Sequence, residues 1–457
     1  MRLRVAGIRS VVKSDLPIEF IEQEITSYSG LELFGRYFRL IGLNGRVRKA
    51  CRIAEVRSDY GCVNLVLVIV AMLLVGARRI EQLKYISDDP LVKRLCRLKR
   101  IPTGQTLVNF LKQFAQTGIQ ALVSVNSELL FEQIERLNLP RLTIDVDGTV
   151  VQTGNKVGWA MRGFNPHRKK NRSYYPLLAH LAQTGQILRL KNRPGNVHDS
   201  TGSDDFLREL IGGLRERFGR RLPLEFRMDS AFFKEKVLRR LQRENCDYAI
   251  KAPFCPWLGF KDLVAHRKRW HRVDGKISSF ETQYDIEAWD ITVRLVIYRK
   301  RVRHKSAKNF QLDLFSPDDG YYEYSAVATN KSLTHEALWK FAAGRGGQEK
   351  TLSELRGEFA LDVVPTNNYR ANNAWQQLSV LTHNLFRGFQ LDTVAQRKTR
   401  SKKRTFSYLM KSARTLRFLL ISRAGRLARI GGKRVLRLAA NQATQTLYEN
   451  IELALAT

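Results

Sequence analysis

The sequence predicts a mixed α/β fold, and three observations lead to that prediction. Residues 141–151 (RLTIDVDGTVV) alternate apolar and polar side chains, which is the pattern of a half-buried strand. Later strand patterns at QILRLKN, LEFRMDS and DYAIKA are separated by helical stretches, one of them running from about Ser200 to Phe218. Strands that alternate with helices indicate a layered α/β sheet. Residues 253–328 are rich in β-branched and aromatic side chains between turn residues, which predicts an antiparallel insertion.

Residues 1–135 read as mostly helical. Pro90 follows two aspartates and Thr103 precedes a helical pattern, so these positions predict the starts of two short helices. Such a pair either reads DNA or belongs to a packing domain. The apolar run from Cys62 to Ala77 spans only 16 residues, whereas a bilayer needs about 20. A buried core helix is therefore expected there.

The composition is globular but carries a large excess of positive charge. The 457 residues are 44% hydrophobic, and 78 Lys and Arg against 43 Asp and Glu give a net charge of +35. This content excludes a wholly disordered chain. Because self-repulsion would strain a compact fold, the charge favours a polyanionic partner, and nucleic acid is the abundant intracellular one. The alternative is a merely basic soluble protein.

The termini and cysteines bear on where the protein works. The start, MRLRVAGIRSVVKSD, lacks the apolar centre of a secretory signal, so we expect an intracellular protein. Five irregularly spaced cysteines without a C-x-x-C pair argue against both a disulfide framework and a zinc site.

The segment from Thr393 to Tyr448 holds fifteen Lys and Arg and no Asp or Glu. We expect it to contact the DNA backbone. Within it, TFSYLMKSARTLRFLLIS predicts a helix with one apolar face, formed by Phe406, Leu409, Met410, Ala413 and Leu420.

Carboxylates that could bind Mg²⁺ lie in separate segments. Asp147 belongs to the first strand and Asp229 ends a later one, and functional groups gather at such strand ends in open α/β sheets. On a later helix, Arg345, Glu349 and Arg356 fall at about 0°, 40° and 20° around the axis, one narrow stripe. The alternative is an exposed helix with ordinary ion pairs. Asp145 shares a strand face with Asp147, and both remain candidates for the first metal ligand.

Several motifs in register resemble one known family. Three motifs stand out: D-G-T at Asp147, RMDSAFF around Asp229, and R-x-x-x-E followed seven residues later by a basic residue. Together they resemble motifs of the DDE transposases of bacterial insertion sequences. They are similar to the group with a Tyr-x-x-Arg-x-x-x-Glu-x-x-x-x-x-x-Lys signature. Three further stretches add to the likeness: GFNPHRKKNRSYYPLLAHLAQTGQ, RPGNVHDS and DYAIKAPF. The likeness covers roughly residues 60–390. The signature tyrosine falls on Ala342, and the signature lysine on Arg356.

The resemblance implies an RNase H-like core with a β-rich insertion between the second and third acids. It implies that Asp147, Asp229 and Glu349 are catalytic and hold two Mg²⁺ ions, which Mn²⁺ can replace, while Arg345 and Arg356 position phosphate. It also implies cleavage at insertion-sequence ends and transfer of the 3′-hydroxyl into target DNA. The implied partners are double-stranded DNA, both terminal inverted repeats and target, and further copies of the chain in a homodimer or larger complex. No membrane is involved, and the implied location is the bacterial cytoplasm, at the nucleoid.

Five regions are predicted: a helical DNA-binding or packing domain (1–135), the first part of the core (136–252), the insertion (253–328), the second part of the core (329–392) and a basic segment (393–457). Further DNA contacts are predicted for one tryptophan that would stack on a base and for cations of two basic segments: Trp289, Arg168, Lys169, Lys170, Arg404, Lys411 and Arg414. The tryptophan could instead be a core residue. Two other functions stay open, a decayed copy that acts as a DNA-binding repressor and a nuclease without strand transfer.

Overall fold

The structure, a computed structural model, describes residues 14–163, 171–302, 322–398 and 407–456. Its first part is helical, as expected. The elements before the large sheet are β1 (Ile25–Thr26), α1 (Leu31–Leu40), α2 (Leu43–Ile53), α3 (Cys62–Val75), α4 (Pro90–Cys96), α5 (Gly104–Lys112) and α6 (Gln116–Leu137). Both predicted helix starts are confirmed, because the side chains of Asp89 and Thr103 accept backbone N–H bonds at the beginnings of α4 and α5.

Helix α3 lies in the centre of the main hydrophobic core. Every residue from Leu65 to Leu74 is buried, so the prediction of a core helix is confirmed. In the part of the chain that the structure describes, no helix is both long and apolar enough to span a bilayer.

The cysteine prediction was wrong for one pair. Cys51 at the end of α2 and Cys62 at the start of α3 form a disulfide, with their Cα atoms 6.2 Å apart. The two residues are eleven positions apart in sequence, and their approach depends on how α2 and α3 pack, which the spacing does not reveal.

The central part builds the sheet that carries the candidate site. Its elements are β2 (Leu142–Gly148), β3 (Val151–Gln152), β4 (Met161–Arg162), β5 (Arg172–Tyr174), β6 (Leu177–Leu181), β7 (Ile187–Lys191), α7 (Ser203–Phe218), β8 (Leu224–Met228), α8 (Glu235–Arg243), β9 (Asp247–Ala252), α9 (Phe260–Ala265), β10 (His271–Arg272), β11 (Ile277–Ile286), β12 (Ile291–Arg301) and β13 (Tyr322–Thr329).

Nine of the described strands form one sheet in the order β10-β11-β12-β13-β9-β8-β2-β6-β7. Strands β2, β8 and β9 are parallel, whereas β6 and β7 on one side and β13 on the other are antiparallel to their neighbours. The mixed α/β prediction is confirmed, and this order agrees with the RNase H-like core that the resemblance implies. The predicted strands of residues 253–328 are present, and they extend the same sheet.

The last part packs helices against the sheet, contributes strands to two small sheets and ends in a helix. Its elements are α10 (His335–Ala343), α11 (Gly346–Phe359), α12 (Tyr369–Thr393), β14 (Gln396–Lys398), β15 (Ser407–Leu409), α13 (Ala413–Leu416), β16 (Gly425–Ile430), β17 (Lys433–Leu438) and α14 (Gln442–Ala456). The two small sheets are β14-β15 and β1-β16-β17. The amphipathic helix predicted around residues 405–422 was wrong in part. Leu409 lies in β15, and the Gln390 side chain bonds both the N–H and the carbonyl of Lys411, which holds that stretch extended. Phe406 lies outside the described residues.

Candidate active site

Two carboxylates meet at the carboxyl ends of the central parallel strands. Strands β2 and β8 pair with Asp145 opposite Arg227. Asp147 follows two residues later on β2, and Asp229 follows two residues later just beyond β8, so the register sets them side by side. Asp229 is held by a local bond, since its Oδ1 accepts the N–H of Ala231 at 2.8 Å.

Arg345 joins these two acids. Its Nη2 lies 2.7 Å from Oδ2 of Asp147 and 3.8 Å from Oδ2 of Asp229. The arginine occupies the junction where α10 ends at Ala343 and α11 begins at Gly346. The helix is interrupted at this junction, and the interruption places the Arg345 guanidinium over the strand ends.

The environment of Asp147 disfavours its charge. Burial raises the pKa of Asp147 to about 6, Arg345 opposes the rise, and the nearby charges of Asp229 and Asp199 add to it. At Arg345, burial lowers the pKa, but the two aspartates outweigh it and raise the pKa above its usual value. A site that crowds acids in this way is suited to gaining positive charge.

Asp145 differs from Asp147 although both point to one strand face. Its side chain is fully buried, and its two oxygens accept bonds from Arg227 Nε at 2.6 Å and Nη2 at 2.8 Å. His180 Nδ1 lies 3.4 Å from Oδ2. Burial acts to raise the pKa of Asp145, but the bonds from His180 and Arg227 outweigh it and lower the pKa. The oxygens of Asp145 are thus occupied by protein donors, whereas the Asp147 side chain is partly exposed and lines a cavity with Arg345.

The buried network around Asp145 also positions the helix junction. Arg227 Nη1 donates to the carbonyl of Phe341 at the end of α10, 3.0 Å away. On α11, Thr351 Oγ1 lies 3.1 Å from His180 Nε2, and Gln348 Nε2 donates to the Asp145 carbonyl at 3.4 Å. These bonds tie both helices to β2, β6 and β8, on either side of Arg345.

Glu349 and Arg356 lie on α11 beyond Arg345. Glu349 is exposed in the first turn and lines a cavity of about 360 Å³ together with Asp147 and Arg345. Arg356 lies seven residues further, about 10 Å along the axis, and its carbonyl accepts a bond from Arg78. The structure therefore brings Asp147, Asp229 and Arg345 into contact, sets Glu349 at the edge of their cavity, and leaves Arg356 further along the helix.

The donor chemistry fits a divalent cation, although the full set is not assembled. Carboxylate oxygens are the preferred ligands of Mg²⁺. The charges of Asp229 and Asp199 help to raise the pKa of Asp147, and a bound cation would relieve this repulsion. Among the described residues, however, no three of the Asp, Glu, His and Cys side chains lie close enough to form a metal-binding group. Asp147 and Asp229 are the pair around which such a group would form.

Asp199 is a fourth acid that the sequence reading did not select. Its Oδ1 is buried without a hydrogen-bond partner, and it would lie 2.4 Å from a Cβ built on Gly148, so only glycine fits between Asp147 and this carboxylate. Asp199 belongs to the RPGNVHDS motif. Its neighbour His198 is exposed and bonds Ser200 at 3.0 Å.

The other predicted DNA contacts occupy varied positions. Trp289 is half-buried between Phe233 and the exposed Trp257, with ring centroids 5.3 and 5.2 Å away. Lys411 is exposed, and Arg414 is exposed with its guanidinium 3.2 Å from Glu358. Four further candidates lie outside the described residues: Arg168, Lys169, Lys170 and Arg404.

Comparison with known families shows to which family the chain belongs. Residues 9–457 match the family model described as "Transposase DDE domain group 1". The chain belongs to this DDE transposase family. Membership supports a role in transposition and DNA cleavage, and it confirms the resemblance to DDE transposases. No curated protein sequence matches the chain.

Solved structures of two transposases are similar to this one. The piggyBac transposase in a synaptic complex with hairpin DNA is 10% identical, with 79% of this chain and 74% of that chain covered and a TM-score of 0.42. The Mos1 transposase in a paired-end complex with the left transposon end is 11% identical, with 62% and 77% covered and a TM-score of 0.19.

Proposed function

We propose that this transposase cleaves DNA at the ends of a bacterial insertion sequence and joins the freed 3′-hydroxyl to target DNA, in a reaction that depends on divalent metal ions. The observation that carries the proposal is the pair of acids at the ends of β2 and β8, bridged by Arg345. The proposed ligands are Asp147, Asp229 and Glu349, and the proposed cofactor is Mg²⁺, with Mn²⁺ as a substitute. The role of Glu349 rests on the resemblance and on its position at the edge of the shared cavity.

Each residue has a defined task in this scheme. Bound Mg²⁺ would supply an activated oxygen nucleophile and charge neutralisation at phosphorus, in hydrolysis and in strand transfer alike. Asp147 and Asp229 hold their carboxylates on rigid strand ends, which fixes the geometry of attack. Arg345 offers N–H donors to the phosphate oxygens. Arg356 contacts phosphate further along the DNA.

The proposed partners follow from charge and from the task. A net charge of +35 suits a chain that neutralises many phosphates. Joining two element ends requires at least two copies of the chain around the DNA, so we propose a homodimer or larger complex. The proposed location is the bacterial cytoplasm, at the nucleoid.

The test is a cleavage assay with DNA that carries the terminal inverted repeats flanking the reading frame. The purified chain should cleave it in Mg²⁺ or Mn²⁺ and not in EDTA, and D147N and D229N should be inactive. D205N, which changes an exposed acid of α7, is the matched control and should cleave normally. A pre-cut end with a free 3′-hydroxyl tests joining: a strand-transfer product is expected, and its absence beside normal cleavage would indicate a nuclease without strand transfer. Binding without cleavage would indicate a repressor.

A further inference from the structure

Two groups of cations with different surroundings occur among the described residues of the segment from Thr393 to Tyr448. The first group stabilises the fold. Arg417 is buried, pairs with Glu358 and donates to the carbonyls of Leu73 and Leu74 at 2.8 Å each. Arg423 Nε bonds the Leu419 carbonyl at 3.1 Å. These side chains have protein partners, so they are poor candidates for DNA contacts.

The second group lies on the hairpin formed by β16 and β17. Residues 425–438 contain five basic side chains and no acidic one. Every residue from 429 to 435 is exposed, including the two glycines of the turn, whose φ angles are 55° and 76°. The five cations are Arg426, Arg429, Lys433, Arg434 and Arg437.

The pairing register sets like charges against each other. Arg426 lies opposite Arg437, and Arg429 lies opposite Arg434. Directly opposed side chains have Cβ atoms about 5 Å apart, and like charges at that distance destabilise a hairpin. Within the described ranges, one ion pair relieves this repulsion, between Arg434 and Glu24 at 3.3 Å. An external polyanion would offset the rest.

The base of the hairpin is nevertheless firmly held. Leu427 and Leu436 face each other and pack against the main core. Strand β1 pairs with β16 on the other edge, with Thr26 opposite Gly425. The hairpin is therefore an anchored ribbon with an exposed basic tip.

We propose that this hairpin binds the phosphate backbone of double-stranded DNA, with its tip in the major groove. Two strands about 5 Å apart fit a groove about 12 Å wide, which accepts a two-stranded ribbon. The inference rests on the proposed function for the identity of the polyanion. It adds a binding element distinct from the acids at the ends of β2 and β8.

The experiment compares R429Q/K433Q with R220Q/R221Q in the full chain. Both double variants remove two exposed positive charges, but Arg220 and Arg221 lie in the turn before β8, at the opposite end of that strand from Asp229. Binding to duplex DNA is measured in EDTA at several salt concentrations, so that no cleavage intervenes. A thermal melt of each variant reports folding.

R429Q/K433Q should reduce the steepness of the log–log salt dependence by about 1.8, since each neutralised phosphate contributes about 0.9. At 0.1 M salt this corresponds to roughly 60-fold weaker binding, while R220Q/R221Q should bind like the wild type. Equal DNA binding by the two double variants would overturn the inference. So would a parallel measurement with anionic lipid vesicles in which R429Q/K433Q lost vesicle binding but kept DNA binding. If the wild-type chain bound no DNA, the proposed function itself would fail.

Discussion

Replacing Asp147 by asparagine should stabilise the folded chain at neutral pH while it removes cleavage. The pKa of Asp147 is raised from 3.8 to about 6, so its ionised form is costly in the folded state. Each unit of such a shift is worth about 1.4 kcal/mol, which makes the full cost about 3 kcal/mol. Asparagine keeps the size of the side chain and removes that cost.

The sign of the pH dependence follows from the raised pKa. Between about pH 4 and pH 6 the folded state binds more protons than the unfolded state, so the stability of the wild type falls as pH rises through this window. The asparagine side chain of the D147N variant does not titrate, so it contributes no such dependence. The difference in unfolding free energy between D147N and the wild type should therefore grow by about 1 to 2 kcal/mol from pH 5 to pH 8.

Urea unfolding in EDTA at pH 5 and pH 8 measures this difference. D205N serves as the control, because it changes an exposed acid on α7, outside the candidate site. If D147N and the wild type were to show parallel pH dependences, burial and the neighbouring acids would not disfavour the charge of Asp147, and the reasoning would be refuted.

Three further changes probe the surrounding residues. D145N leaves the buried Arg227 without its counter-ion and should lower the unfolding free energy by about 3 to 5 kcal/mol in urea titrations at pH 7, whereas an unchanged value would contradict the buried pair. Gly344→Ala places a Cβ 2.3 Å from Arg227 Nη1 and should lower the free energy of unfolding by about 1 to 3 kcal/mol. Its control is Gly357→Ala, in open space on α11, which should leave the stability unchanged or raise it, and thermal melts measure both. R345Q should slow single-turnover cleavage by about 100-fold, with R345K between it and the wild type, and full activity of R345Q would exclude a role in the reaction.

The main strands and the two strand-end acids could be predicted because their signals are local. Alternation marks β2, and the acid directly after the β8 pattern marks Asp229. Strand β6 was missed because all five of its residues are buried, so its sequence, LLAHL, shows little alternation. A strand covered on both faces looks like any short apolar run.

The remaining features depend on contacts between distant segments. Asp145 and Asp147 belong to one sequence pattern. The two residues that bond Asp145 come from other strands, His180 from β6 and Arg227 from β8. The Asp199 carboxylate lies against Gly148, where a larger side chain would clash with it. Likewise, Gln390 on α12 holds the backbone at Lys411 and overrides the local helical pattern there.

The central claim is that the acids at the ends of β2 and β8 carry out DNA cleavage. Single-turnover cleavage of terminal-repeat DNA by D229A, at saturating enzyme in Mg²⁺, tests it most directly. The account predicts a rate below about one hundredth of the wild-type rate, with DNA binding in EDTA retained. Cleavage by D229A at the wild-type rate would contradict it.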